Sequence, residues 1–114
     1  MLFSGVTVHF LKGFCLGLWL TLPMLLTLAA LISTLGRVVG RREGWPRFDS
    51  FYWSFITATT VGYGDLRPSK RSTRLISILI ALLGLTFTGI LIAVAVHAAT
   101  LALTAYDAAA MIGK

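Results

Sequence analysis

Residues Thr60 to Asp65 read Thr-Val-Gly-Tyr-Gly-Asp, and the chemistry this run offers belongs to its backbone. A desolvated cation needs a cage of oxygens in place of its water, and rings of carbonyl groups can supply one when successive carbonyls face the same way. An extended strand alternates them. Turning them to one side requires left-handed backbone angles at every second residue, which glycine adopts at little cost. Gly62 and Gly64 stand at that spacing. The backbone of Thr60, Val61, Gly62 and Tyr63 is thus the candidate cation-binding set, with the Thr60 hydroxyl as a further oxygen below the rings. One chain supplies one wall of such a cage, so the site implies an oligomer. Gly-Tyr-Gly-Asp alone would read as a glycine-rich turn. The longer run from Thr57 to Asp65, set between two long apolar segments, carries more weight. The chain offers no nucleophile–base pair, metal cluster or phosphate-binding loop elsewhere.

The elements that must position this run follow from length and hydropathy. The chain has 114 residues, room for a single domain over 1–114, and is 57% hydrophobic and 12% charged. Soluble domains carry about a quarter charged residues, so the partner implied is a lipid bilayer. Residues 14–35 contain no charge and cover roughly 33 Å as a helix, against a hydrocarbon core of about 30 Å. They are expected to form a first membrane-spanning helix, kinked near Pro23. Met1 to Gly13 either lies at the interface or starts that helix. Gly36 to Arg47, with three glycines, Pro46 and four arginines, reads as a turn-rich linker. Asp49-Ser50 offers a helix N-cap, and 50–59 is too short to span a bilayer. A re-entrant helix ending at the 60–65 run is expected there, its C-terminal dipole favouring a cation. A second long helix is expected over 73–105, its pattern running on to about Ala110. Trp19 reads as an interface anchor or a helix-packing residue, its depth favouring packing, and Cys15 as a small packing residue without disulfide or zinc partners. The formal net charge of +6 is not arranged as a nucleic-acid-binding face. Lipid headgroups are the expected counter-charge.

Helix, re-entrant helix, Thr-Val-Gly-Tyr-Gly-Asp and helix together resemble the pore module of the prokaryotic two-transmembrane potassium channels, over roughly residues 14–105. The resemblance implies an all-α membrane protein and a homotetramer around one pore. It implies potassium ions held by Thr60, Val61, Gly62 and Tyr63, with no enzymatic activity. It implies support of this selectivity filter by Gly64, Asp65, Tyr52 and Trp53. Gly84, twenty residues after Gly64, is similar to the family's inner-helix hinge glycine. Two stripes follow it, Thr88, Ile92, Val96 and Thr100 beside Leu85, Gly89, Ala93 and His97. Gly89, Ile92, Val96 and His97 are gate candidates on these stripes; both stripes could equally be packing faces. His97 is open to two readings, a pH-responsive gate residue or an interface histidine. The resemblance also places the chain in the plasma membrane as a multi-pass protein, and leaves room for a cytoplasmic regulatory domain outside this sequence.

Two departures qualify this picture. Ile56 stands where some bacterial relatives place a glutamate that pairs with the aspartate after the filter, so Asp65 should instead be held by Tyr52 or Trp53. Eight of the ten basic residues lie between the long helices, which by the positive-inside rule would put that loop in the cytoplasm. The family puts it outside, and the motif is the more specific signal. The rival functions are a weakly selective cation channel, a subunit of a potassium-uptake transporter, and a structural membrane assembly protein.

Overall fold

The computed structural model describes residues 2–112, which fold into three helices. Helix α1 spans Leu2–Glu43, α2 spans Arg47–Ala58 and α3 spans Arg71–Ile112. No strand occurs among the described residues. Both long helices contain windows apolar enough to cross a membrane. At 42 residues each, they run to roughly 63 Å, about twice the hydrocarbon thickness.

The helices differ from their sequence-based bounds for local reasons. Helix α1 starts at Leu2 rather than at Phe14, so the mixed N-terminal segment is its first part, and it runs on through Pro23. It also runs through Gly36 and Gly40, where a linker was expected. Only Gly44, Trp45 and Pro46 separate α1 from α2. Gly44 ends α1 by taking a left-handed angle (φ 78°), and the Trp45 N–H donates to the Gly40 carbonyl at 2.8 Å. That is a glycine C-cap closed by a six-to-one hydrogen bond. Helix α2 begins at Arg47, directly after Pro46, instead of at an Asp49-Ser50 cap. Asp49 lies within its first turn, where the helix dipole favours an acid. The Ser50 hydroxyl donates back to the Pro46 carbonyl. Helix α3 begins two residues before its expected start and extends to Ile112.

The described chain divides into two compact units within its long helices. One comprises Met1–Pro23 with Ile90–Lys114, the other Met24–Gly89. In the first, Ala98 and Ala102 of α3 are buried, and Gly13 of α1 lies over Ala98. A methyl group at Gly17 would press on the Val94 side chain. Cys15 and Trp19, expected to pack, are instead exposed on α1, Trp19 at 71%.

In the second unit all three helices meet. Ile32 and Val39 of α1, Trp53 and Ala58 of α2 and Ile80 of α3 form its core, with Leu35, Trp45, Leu66, Ile76, Leu83 and Phe87 packed on it. Gly36 and Gly40 lie one turn apart on α1, and Ser50 and Ser54 one turn apart on α2. A side chain at Gly36 would strike Ser54, and one at Gly40 would strike Ser50. Both serines are fully buried, and the Ser54 hydroxyl is satisfied by the Ser50 carbonyl at 2.6 Å. The two glycines are thus a small-residue face that lets the helices approach closely.

Helix α3 is capped from a distance. The Glu43 carboxylate, at the end of α1, accepts hydrogen bonds from the Ser69 N–H (2.8 Å), the Ser69 hydroxyl (2.7 Å), the Lys70 N–H (3.2 Å) and the buried Thr73 hydroxyl (2.7 Å). Glu43 lies eight residues past the uncharged run ending at Leu35, roughly 12 Å along the helix, outside the spanning segment. The Thr73 hydroxyl, followed by the Ser69 donors, lowers its pKa from 4.5 to about 2. A depressed pKa contributes stability above the unfolded value, and that stability is lost as pH falls toward the folded value. Acid should therefore weaken this latch between 4.5 and about 2. Glu43→Gln should lower thermal stability at neutral pH and flatten its decline in that window. Parallel melting curves of the two proteins across that range would refute the latch.

Candidate functional site

The 60–65 segment leaves the C-terminus of α2 and is tied to it. The Thr60 N–H donates to the Thr57 carbonyl at 3.2 Å, and the Gly62 N–H donates to the Ile56 carbonyl at 3.1 Å. The Thr59 hydroxyl donates to the Phe55 carbonyl at 2.6 Å. These bonds occupy the last-turn carbonyls that a helix end otherwise leaves open, and they fix where the segment departs.

Its backbone alternates. Thr60 (φ 67°), Gly62 (φ 53°) and Gly64 (φ 82°) are left-handed. Among the described residues, the other one with positive φ is Gly44, the α1 cap. Left-handed angles at every second residue are the condition for successive carbonyls to face one way. Thr60 was not foreseen as part of this pattern. A β-branched residue there carries a strain of about 1–2 kcal/mol, of the kind that persists when a functional site requires it. Sequence alone gave a single hint, its two-residue spacing before Gly62.

The side chains around the segment fall into two groups. Val61 (50% exposed) and Tyr63 (70% exposed) are uncovered by their own chain. Trp53 instead is buried and meets Trp45 edge-on, ring centroids 5.3 Å apart. Tyr52 is the aromatic residue that senses Asp65. Partial burial, and then the charge and hydrogen-bonding reach of the Asp65 carboxylate, push the Tyr52 hydroxyl above its ordinary pKa. Asp65 Oδ1 also accepts a hydrogen bond from the Leu66 N–H at 3.1 Å. Arg67 was not anticipated at the site either. Its Nε donates to the Gly64 carbonyl at 3.0 Å, laying a guanidinium over the last left-handed glycine.

On α3, Gly84 is buried against the end of α2. A methyl there would land on the Ala58 carbonyl and Cα. Close approach to the helix that delivers the 60–65 segment is thus its visible role. Gly89 faces open space. Ile92, Val96 and His97 are exposed, as are Leu85, Ala93 and Thr100, while Thr88 is half-buried. Within one chain, then, neither stripe is buried as a packing face; Ala98 and Ala102 do that work.

A two-helix membrane protein with a short helix delivering an alternating-handed segment is the architecture of an ion-conducting pore. A family model described as "Ion channel" matches residues 15–100, and the chain belongs to that family. It is a transport family and not an enzyme class. Among curated proteins, the chain is 46% identical over 70 residues to TWiK family of potassium channels protein 7 of Caenorhabditis elegans, covering 59% of this chain and 13% of the relative. It is 38% identical over 74 residues to two-pore potassium channel 3 of Arabidopsis thaliana, covering 62% of this chain and 16% of the relative. It is 42% identical over 45 residues to a voltage-gated potassium channel of Aeropyrum pernix, covering 40% and 15%. The chain thus spans about a seventh of the length of these relatives, which come from an animal, a plant and an archaeon. No solved structure matches.

Proposed function

We propose that this chain is the pore-forming subunit of a potassium-selective channel that conducts passively through four copies arranged around one axis. The observation that carries the reading is the left-handed angle at Thr60, Gly62 and Gly64 within a Thr-Val-Gly-Tyr-Gly run. Carbonyls of Thr60, Val61, Gly62 and Tyr63 would hold dehydrated potassium, with the Thr60 hydroxyl beneath them. Gly64 and Asp65 would hold the outer end, with Tyr52 beside Asp65 and Trp53 bracing the short helix from its buried side. Exposed Val61 and Tyr63 support an oligomer, since these apolar side chains lie in a non-helical segment and lack cover from their own chain. The names of the relatives favour potassium over other cations.

In this reading the protein sits in the plasma membrane with the loop between α1 and α3 outside, in the two-transmembrane arrangement of prokaryotic channels. The exposed face of α3 bearing Gly89, Ile92, Val96 and His97 would line the inner pore, with Gly84 as its fixed point. A cytoplasmic regulatory domain would belong to a longer chain. Purified protein in liposomes should carry potassium in preference to sodium, and chemical cross-linking should stop at four chains. Equal sodium and potassium flux would favour a weakly selective channel, no flux a structural protein, and a ladder ending at two chains would overturn the tetramer.

A further inference from the structure

We propose that Arg67 limits the rate at which potassium enters from the loop side, through a positive charge fixed at the outer end of the 60–65 segment. The proposal rests on the potassium-channel reading given above. The Arg67 Nε donates to the Gly64 carbonyl at 3.0 Å, and the side chain remains exposed. Gly64 is the last left-handed residue of the run, so the charge stands where the alternating backbone ends. The arginine is held there by its neighbours in sequence. Leu66 packs on the core formed by the three helices. Pro68 restricts the backbone of the residue before it, and its own carbonyl accepts from the Arg74 Nε at 3.3 Å.

The guanidinium acts on the Gly64 carbonyl and on the approaching ion. A carbonyl oxygen that accepts from a guanidinium is a poor ligand for a cation, because the cation would sit beside a like charge. Gly64 thus falls outside the carbonyl set of Thr60, Val61, Gly62 and Tyr63. The nearest acid in sequence does not take up the guanidinium. Asp65 accepts from the Leu66 N–H, and the Arg67 hydrogen bond runs to the backbone instead. Lys70, the next basic residue along the chain, is engaged elsewhere, its ammonium donating to the Arg42 carbonyl at 2.6 Å. In a four-chain pore, one guanidinium and one carboxylate per chain would ring the entrance. Rings of charged side chains tune conduction, and the sign of the charge sets the local concentration of the permeant ion. Arg67 offsets the attraction of Asp65, so neutralising it leaves four unopposed carboxylates at the mouth.

The test is single-channel recording in planar bilayers with dilute and concentrated potassium chloride, about 10 mM and about 1 M, where the Debye length is about 30 Å and about 3 Å. Arg67→Gln should raise the conductance in the dilute salt by roughly tenfold. The gain should be confined to one direction of current, entry from the loop side. It should shrink to less than about twofold in the concentrated salt, where the charge is screened. Arg67→Lys keeps the charge without the planar fork and should stay within about twofold of wild type in both salts. Arg41→Gln removes the same charge from α1 and should leave the conductance in place. Should Arg67→Gln fail to assemble alone, mixed channels with wild-type chains should step up in conductance with each substituted subunit. A wild-type conductance in the Arg67→Gln or mixed channels in dilute salt would overturn the role of Arg67 alone. So would a gain that persists in concentrated salt, or one shared by Arg67→Lys or Arg41→Gln. A wild type that passes no potassium would overturn the channel reading, and this proposal with it.

Discussion

Gly62→Ala should abolish potassium-over-sodium selectivity while leaving the protein folded and assembled. The position separates backbone strain from steric clash. Gly62 holds φ 53°, and a Cβ built there meets nothing within 4 Å. Alanine would therefore fit the space and object only to the angle, at about 1–2 kcal/mol per chain. In a tetramer the strain recurs four times around one ring, and relaxation toward an ordinary angle turns a carbonyl away from the ion. Thr60 already carries a left-handed angle in each chain, so the segment has little tolerance left for a second strained residue. Gly64→Ala should act in the same direction, with the added pressure of the Arg67 guanidinium 3.5 Å from the new methyl. The measurement is the ratio of potassium to sodium flux in liposomes. An unchanged ratio in Gly62→Ala would show that the carbonyls of this segment are not the selective element.

The second large effect is expected at Gly84. Alanine there should destabilise the subunit and sharply reduce the yield of assembled channel, because its methyl would occupy the space of the Ala58 backbone. A flexible side chain could swing aside, but a helix end tied into the Thr60–Gly62 hydrogen bonds can move only with the segment it carries. Overpacking in a close-packed site typically costs about 1–3 kcal/mol, and each subunit would bear it. Gly89→Ala is the matched control. It lies five residues further along α3, meets nothing within 4 Å, and should gain slightly in helix stability. The readouts are the assembled fraction on a sizing column and the melting temperature. A Gly84→Ala channel that assembles and melts like Gly89→Ala would show that the contact with Ala58 is not tight, and would return Gly84 to a purely hinge-like role.

Much of this protein is written locally. The two spanning runs are legible because the bilayer imposes a one-dimensional rule of about 20 uncharged residues. The alternating backbone of the 60–65 segment is legible because the angles at Gly62 and Gly64 are a property of those residues themselves. The short helix before it follows from a length too small to span. The helix ends are less legible, since hydropathy marks where a helix leaves the membrane and not where its hydrogen bonding stops.

Tertiary structure decided what depends on residues distant in the chain. Gly36, Gly40 and Gly44 look alike as linker glycines, yet only Gly44 turns the chain. The first two serve Ser54 and Ser50, and that is invisible until α2 folds back on α1. Tyr52 and Trp53 are neighbours in sequence, but helical geometry sends Trp53 toward Trp45 in the core and leaves Tyr52 near Asp65. Glu43 has no assigned role in the sequence; Ser69, Lys70 and Thr73, 26, 27 and 30 residues later, reach its carboxylate only in the fold. A backbone angle or an apolar span is set by the residues that form it. A close helix contact or a shared carboxylate is set by whichever distant surface arrives, and that is fixed only when the helices pack.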